Sequence, residues 1–336
     1  MSKKTIRQVI NDTLREEMRR DPRVILMGED VIGGTGGTGK LDSWGGAFGI
    51  TRGLVAEFGT ERVRDTPISE AAFVGAAAGA ALTGLRPVVE LMFSDFLGVA
   101  FDQVYNQIAK FRYMFGGKAK TPVVIRMMYG AGSRTASQHS QTPYALVTHI
   151  PGLKVVVPSC ASDAKGLLTQ AIRDDDPVLF FEHKKMYDIE DEVPDGSYTI
   201  PFAEAKVTRE GKDATIVAVG RMVLLANQVS DLLRGEGIAC GVVDPRTLSP
   251  LDTDTILECV ADSGRLIVVD EANPRCSFAT DIAALAAAEA FDSLRAPVKM
   301  VTAPHTPVPY APNLEDAYVP SVERILAAVR QSLAHK

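Results

Sequence analysis

Cysteine is scarce and scattered in this chain. Cys160, Cys240, Cys259 and Cys276 stand far apart among 336 residues with no C-x-x-C spacing, which excludes a disulfide framework and a zinc knuckle and points to reduced thiols in a cytoplasmic protein. Charge of one sign is nowhere concentrated. The net charge of -6 is spread along the sequence, so neither nucleic acid nor an anionic membrane is indicated as a partner. Long apolar runs are also missing. The longest small-apolar stretch, Ala71 to Leu85, is interrupted by Gly75, Gly79 and Gly84 and falls short of the roughly 20 residues that cross a bilayer. The N-terminus lacks the apolar core of a signal peptide. No G-x-G-x-x-G fingerprint sits between a strand and a helix, which argues against a dehydrogenase holding its own NAD. What remains is a protein that works on small molecules, with other proteins, or both.

What is present describes two α/β domains. An apolar content of 46% over this length supports about two cores. Residues 4 to 20 place Ile6, Val9, Ile10 and Leu14 at helical spacing, and Asp21-Pro22 closes that helix. The runs R-V-I-L-M-G-E-D, R-P-V-V-E-L-M-F, T-P-V-V-I-R-M-M, G-L-K-V-V-V-P and P-V-L-F-F-E alternate with segments of helical length, the pattern of a parallel sheet covered by helices. Gly75 and Gly79 are expected to let one helix pack closely on a neighbour. The first domain is expected to span 1–190, and an acid-, proline- and glycine-bearing connection 191–203. Strand candidates D-A-T-I-V-A-V-G, G-I-A-C-G-V-V-D, G-R-L-I-V-V-D-E and A-P-V-K-M-V-T then describe a second, smaller α/β domain over 204–336.

Three local features bear on chemistry. Gly34 to Lys40 fits G-x-x-x-x-G-K, but Leu41 stands where a Ser or Thr would bind magnesium, so a loop ordering against a partner or substrate explains the glycines better than nucleotide binding. In D-T-P-I-S-E-A-A-F-V-G, Glu70 follows an apparent strand end and opens a small-residue helix. Glu70 has a structural reading, an acid favoured by the helix dipole, and a functional one, a buried carboxylate whose partner is a ring nitrogen of a cofactor. In S-Q-H-S-Q, His139 lies among short polar side chains in a loop between apolar runs, either as a hydrogen-bonded structural histidine or as a proton-transfer group. Phe93 and Phe96 end another strand candidate, as core aromatics or as rings for a heterocycle to stack on.

At these residues the chain resembles, over essentially its whole length, the beta subunit of the thiamine diphosphate-dependent 2-oxo acid dehydrogenase family. The resemblance implies a pyrimidine-binding thiamine diphosphate domain followed by a transketolase-type C-terminal domain. D-T-P-I-S-E is similar to the family segment whose glutamate, here Glu70, contacts N1′ of the aminopyrimidine ring. E-L-M-F-S-D-F-L-G resembles the segment whose aromatic, here Phe96 with Phe93 nearby, packs on that ring. Q-H-S-Q followed by H-I-P-G-L-K-V-V-V-P-S resembles the active-site histidine segment, with His139 in the catalytic position. A-I-R-D-D-D-P is similar to a monovalent-cation (potassium) site formed by Ala171, Ile172, Asp174 and Asp176, with Asp176 where Asn is frequent.

The G-D-G and N-N motifs that hold magnesium and diphosphate in thiamine enzymes are absent. The resemblance therefore implies an alpha subunit carrying that half of the site and Mg2+, thiamine diphosphate shared at the interface of an alpha2-beta2 heterotetramer, and docking on a dihydrolipoyl acetyltransferase core. G-G-T-G-G-T-G, F-R-Y-M-F-G-G-K-A, M-M-Y-G-A-G and E-A-N-P-R-C-S look most like acetoin dehydrogenase beta subunits, which cleave acetoin to acetaldehyde and pass on an acetyl unit. Pyruvate or branched-chain 2-oxo acid dehydrogenases are the alternatives within the class. A non-catalytic assembly scaffold is the alternative outside it.

Overall fold

Thr5 starts the first helix in a capping box: its hydroxyl accepts from the Gln8 amide at 3.2 Å and its own amide donates to the Gln8 side chain at 2.9 Å. The helix runs Ile6–Arg20 and buries Ile6, Val9, Ile10, Thr13, Leu14, Glu17 and Met18, one face at helical spacing. The residues before it are not helical. Ser2–Thr5 is a strand paired antiparallel with Glu190–Val193, so part of the stretch read as an interdomain connection is tied to the N-terminus by a backbone ladder.

The computed structural model describes residues 1–33 and 44–335, which divide into two units, 1–129 with 146–201 and 130–145 with 202–336. The glycine run past Gly33 lies outside the described residues. In the first unit six parallel strands run in the order Lys154–Val156, Val178–His183, Val124–Tyr129, Arg86–Leu91, Val24–Gly28, Val63–Asp65. Five of them match the apolar runs of the sequence; Val63–Asp65 is only three residues long and carries two charges, so periodicity does not reveal it. The strands Val24–Gly28, Arg86–Leu91, Val124–Tyr129 and Val178–His183 are buried along their whole length, as parallel strands covered on both faces must be.

The helix Glu70–Leu82 packs on the strand Arg86–Leu91. Its two glycines differ. A Cβ at Gly75 would lie 3.0 Å from the Gln103 side chain, a close approach that glycine permits, whereas a Cβ at Gly79 would meet nothing within 4 Å. Only Gly75 serves the close packing expected of both.

The second unit has the sheet order Lys299–Thr302, Leu266–Asp270, Ala214–Ala218, Cys240–Asp244, Lys206–Arg209, parallel except for the last strand. Helices Arg221–Arg234 and Val322–Leu333 bury Met222, Val223, Val229, Leu233, Ile325 and Val329 in its core. The segment 130–145, which the sequence assigns to the first domain, clusters with this second unit.

Candidate functional site

The ends of neighbouring parallel strands gather the acidic part of the site. Gly28 stands in register with Asp65, and the Thr66 amide donates to the Gly28 carbonyl at 3.0 Å, so Glu29 and the segment Thr66–Glu70 leave the sheet side by side. Such strand ends are where open α/β sheets bind ligands. Glu70 is the first residue of its helix and is 7% exposed; Ser69, before it, makes no side-chain cap, so the first turn keeps amides that favour a negative group. Glu29, 6% exposed, is the residue sequence reasoning missed. Burial first, then the negative charges of Glu70 and Asp30, pushes its carboxyl up to about 7. The signal was a carboxylate directly after the all-apolar strand V-I-L-M-G. Glu29 Oε1 and Thr66 Oγ1 are both buried without a hydrogen-bond partner among the described residues. Buried polar atoms rarely remain so, and two of them at one set of strand ends ask for a ligand with its own donors and acceptors.

Phe93 follows the strand Arg86–Leu91 and Phe96 lies on the short turn Ser94–Gly98. Their rings meet edge to face, 5.8 Å between centroids at 83°. Phe93 is held on its other sides by Phe48, 5.7 Å away at 73°, and by the Lys184 ammonium, 5.4 Å from its centroid. Phe93 thus braces Phe96, and both are only half-buried.

His139 belongs to the second unit and is half-buried. Its loop is a series of tight turns: Gly130, Gly132, Arg134 and Ala136 all have positive φ, and the Thr135 hydroxyl donates to the His139 carbonyl at 3.0 Å and lies 2.8 Å from the Ser140 hydroxyl. The loop is clamped by carboxylates distant in sequence. Fully buried Glu315 accepts from the amides of Gly132 at 2.8 Å and Arg134 at 3.1 Å and from the Arg134 guanidinium at 2.6 Å, while Glu271 accepts from the Ala131 amide at 2.6 Å. Tyr144 closes the loop with a short hydrogen bond to Asp270, whose carboxyl burial raises to about 6. A cleft of about 430 Å³ in this unit is lined by Ser137, Gln138 and Gln141 of the loop with Asn273, His305 and Tyr318.

Removing the Glu315 carboxylate by alanine substitution should therefore release the loop without unfolding the unit. Each stranded amide costs about 1–3 kcal/mol where it stays dry, so the loop is expected to open toward water instead. The checks are faster tryptic cleavage after Arg134 and a fall in kcat. Unchanged cleavage would mean that Glu315 does not hold the loop.

Of the remaining expected residues, Ala171 and Ile172 are buried on the last turn of helix Ala161–Arg173, and Asp174 and Asp176 follow it. They lie in the first unit with Glu70, Phe93 and Phe96. Among the described residues no group of three or more His, Cys, Asp or Glu side chains is placed to hold a metal ion, and no helix is long and apolar enough to cross a membrane.

Comparison with known proteins accounts for this arrangement. Residues 2–190 match the family model of the transketolase pyrimidine-binding domain, and residues 203–325 that of the transketolase C-terminal domain. The chain is 59% identical over 331 residues to the beta subunit of acetoin:2,6-dichlorophenolindophenol oxidoreductase of Cupriavidus necator, covering 98% of each. It belongs to the beta-subunit family of thiamine diphosphate-dependent dehydrogenases. Within that family it is 44% identical to the pyruvate dehydrogenase E1 beta subunit of Rickettsia felis, over 97% of each chain. The fold likewise follows a solved split-gene transketolase beta4 tetramer, described as inactive, with a TM-score of 0.77 and 24% identity over 98% of each chain. The strand ends fit the family's cofactor: the amino group of an aminopyrimidine would supply donors for the Glu29 and Thr66 oxygens that lack partners among the described residues.

Proposed function

We propose that this chain, with an alpha subunit, forms the thiamine diphosphate-dependent component that cleaves acetoin to acetaldehyde and passes the acetyl unit to lipoyl groups of an acyltransferase core. The observation that carries this reading is the buried Glu70 carboxylate at a helix start, flanked by Glu29 and Thr66 oxygens that lack partners among the described residues. When bound, thiamine diphosphate supplies the nucleophilic carbon and the electron sink. Glu70 holds the proton at the ring nitrogen N1′ from the start of its helix. Phe96, braced by Phe93, forms a wall against which the pyrimidine packs. His139 gives or takes a proton at the substrate oxygen, oriented by a loop that Glu315 and Glu271 fix.

The diphosphate and Mg2+ fall to the alpha subunit, because this chain has no motif for them. A partner surface supports that division: Tyr113 is 89% exposed, next to exposed Met114 and Phe115, a density of apolar surface that an isolated chain rarely leaves in water. Four free thiols support a reducing, cytoplasmic setting. Acetoin is favoured over pyruvate or a branched-chain 2-oxo acid by the higher identity to the acetoin-oxidising relative, 59% against 44%. Activity of the chain alone and mixed with its alpha subunit, with thiamine diphosphate, Mg2+ and a dye acceptor, tests the reading. Turnover only in the mixture and chiefly on acetoin is expected. Preference for pyruvate overturns the substrate, activity of the chain alone overturns the shared site, and indifference to replacement of Glu70 and His139 leaves a scaffold.

A further inference from the structure

The turn after helix Ala161–Arg173 carries three consecutive aspartates, and the resemblance assigns a monovalent cation to it. The donor set does not fit one. The Ile172 carbonyl accepts from Arg86 Nε at 2.8 Å, and the Asp174 carbonyl takes a short hydrogen bond from another nitrogen of the same guanidinium. The Ala171 carbonyl accepts from the Asp174 amide at 3.3 Å. Both Asp174 carboxylate oxygens lie 2.7 Å from the Lys154 ammonium, which is also 3.6 Å from Asp176. Asp176, where the chain departs from the asparagine of the pattern, is paired with Arg112. Asp175 is shared by Arg86 at 3.1 Å and Lys120 at 2.7 Å, which together hold its carboxyl below the usual range. Four fixed cations thus face three carboxylates within one turn, and a further positive ion would enter a cluster already short of negative charge.

We infer that this turn supplies its own positive charge and takes no added monovalent cation, the Lys154 ammonium standing where potassium would lie. The three main cations come from separate elements: Lys154 opens the strand Lys154–Val156, Arg86 opens the strand Arg86–Leu91, and Arg112 lies on the helix Phe111–Met114. The Lys154 amide also donates to the Pro177 carbonyl at 3.0 Å, which fixes the root of its side chain at the same turn. The cluster therefore clips the helix end to the starts of two strands. An ammonium and a bare potassium ion are of similar size and charge, so the one can replace the other only where the oxygens already converge.

Thermal unfolding of the full chain, alone and with its alpha subunit, in potassium phosphate and in tetramethylammonium phosphate at equal ionic strength tests this. The wild type should melt at the same temperature in both, and potassium measured by mass spectrometry after dialysis should be far below one per chain. Lys154→Ala should melt about 2–4 °C lower in tetramethylammonium and regain that loss in potassium, because it vacates an ammonium-sized gap between two carboxylates. A saturable rise of the wild-type melting temperature in potassium, or stoichiometric potassium in the dialysed protein, overturns the inference. So does a Lys154→Ala variant that neither loses stability nor responds to potassium. Should that variant fail to fold, the wild-type comparison still decides.

Discussion

Exchanging Glu70 for glutamine should abolish turnover while leaving the fold, and assembly with an alpha subunit, intact. The exchange keeps shape and volume and removes only the charge and the titrating proton, so no cavity forms in the packed start of helix Glu70–Leu82. Positioned proton transfer contributes about 10²–10⁴-fold to rate, which sets the smallest loss consistent with the proposed role. A second readout does not depend on catalysis. The Glu29 carboxyl is raised from its ordinary 4.5 to about 7 by burial and by the charge of Glu70. A raised carboxyl stabilises the fold fully below its unfolded value and loses that contribution as pH rises through its folded value, here between pH 4.5 and about 7. Without the Glu70 charge the folded value of Glu29 should fall, although burial, the larger cause, remains. The variant should thus lose less stability than the wild type over that interval, measured as melting temperature against pH. Full activity would remove Glu70 from the chemistry, whereas an unaltered stability profile would show that the two carboxylates do not interact.

Much of this could be read in the sequence, and Glu29, Glu315 and the grouping of 130–145 escape it for one common cause. The segment D-T-P-I-S-E is contiguous, so Glu70 announces itself: strand end, turn residues, acid and small-residue helix follow one another within a single short stretch. The same holds for the long apolar strands. Glu29 does not announce itself, because its significance depends on the register that puts Gly28 beside Asp65, 37 positions away. Glu315 is further from view still: it binds Gly132 and Arg134 across more than 180 positions, and nothing in the alternation of L-E-D-A-Y hints at a buried carboxylate. The grouping of 130–145 with the second unit was illegible for the same reason. The A-I-R-D-D-D-P turn illustrates a different limit. A likeness of ligand types carries over as a pattern, but whether an oxygen is free to bind an ion depends on Arg86, Arg112 and Lys154, which reach the turn from elsewhere in the chain.

Arg126 should prove the most sensitive position for stability in the first unit. Its side chain is fully buried in the strand Val124–Tyr129, forked onto Glu182 at 2.7 and 2.8 Å and bonded to Glu90 at 2.9 Å, with the Tyr187 hydroxyl donating to Glu182 at 2.7 Å. One guanidinium thus serves two carboxylates on the flanking strands. The balance is already delicate, since burial lifts the Glu90 carboxyl to about 7 against the pull of Arg126. Arg126→Met keeps the bulk but strands both carboxylates, at a cost of about 3–5 kcal/mol. A drop in melting temperature of roughly 10 °C or failure to fold is expected at neutral pH. The deficit should shrink as pH falls and Glu90, whose carboxyl burial already raises, takes up a proton. Replacing all three charges together with Met and Leu should recover most of the loss, because what costs is the unpaired charge rather than the missing ion pair. The effect also reaches the proposed cofactor wall. Glu90 Oε1 sits where a Cβ on Gly46 would come within 2.2 Å, so this carboxylate is the floor under the 45–49 turn, whose Phe48 ring holds Phe93 against Phe96. If the triple variant regains stability without activity, the buried charges set the position of those aromatic rings; if it regains both, they serve the fold alone.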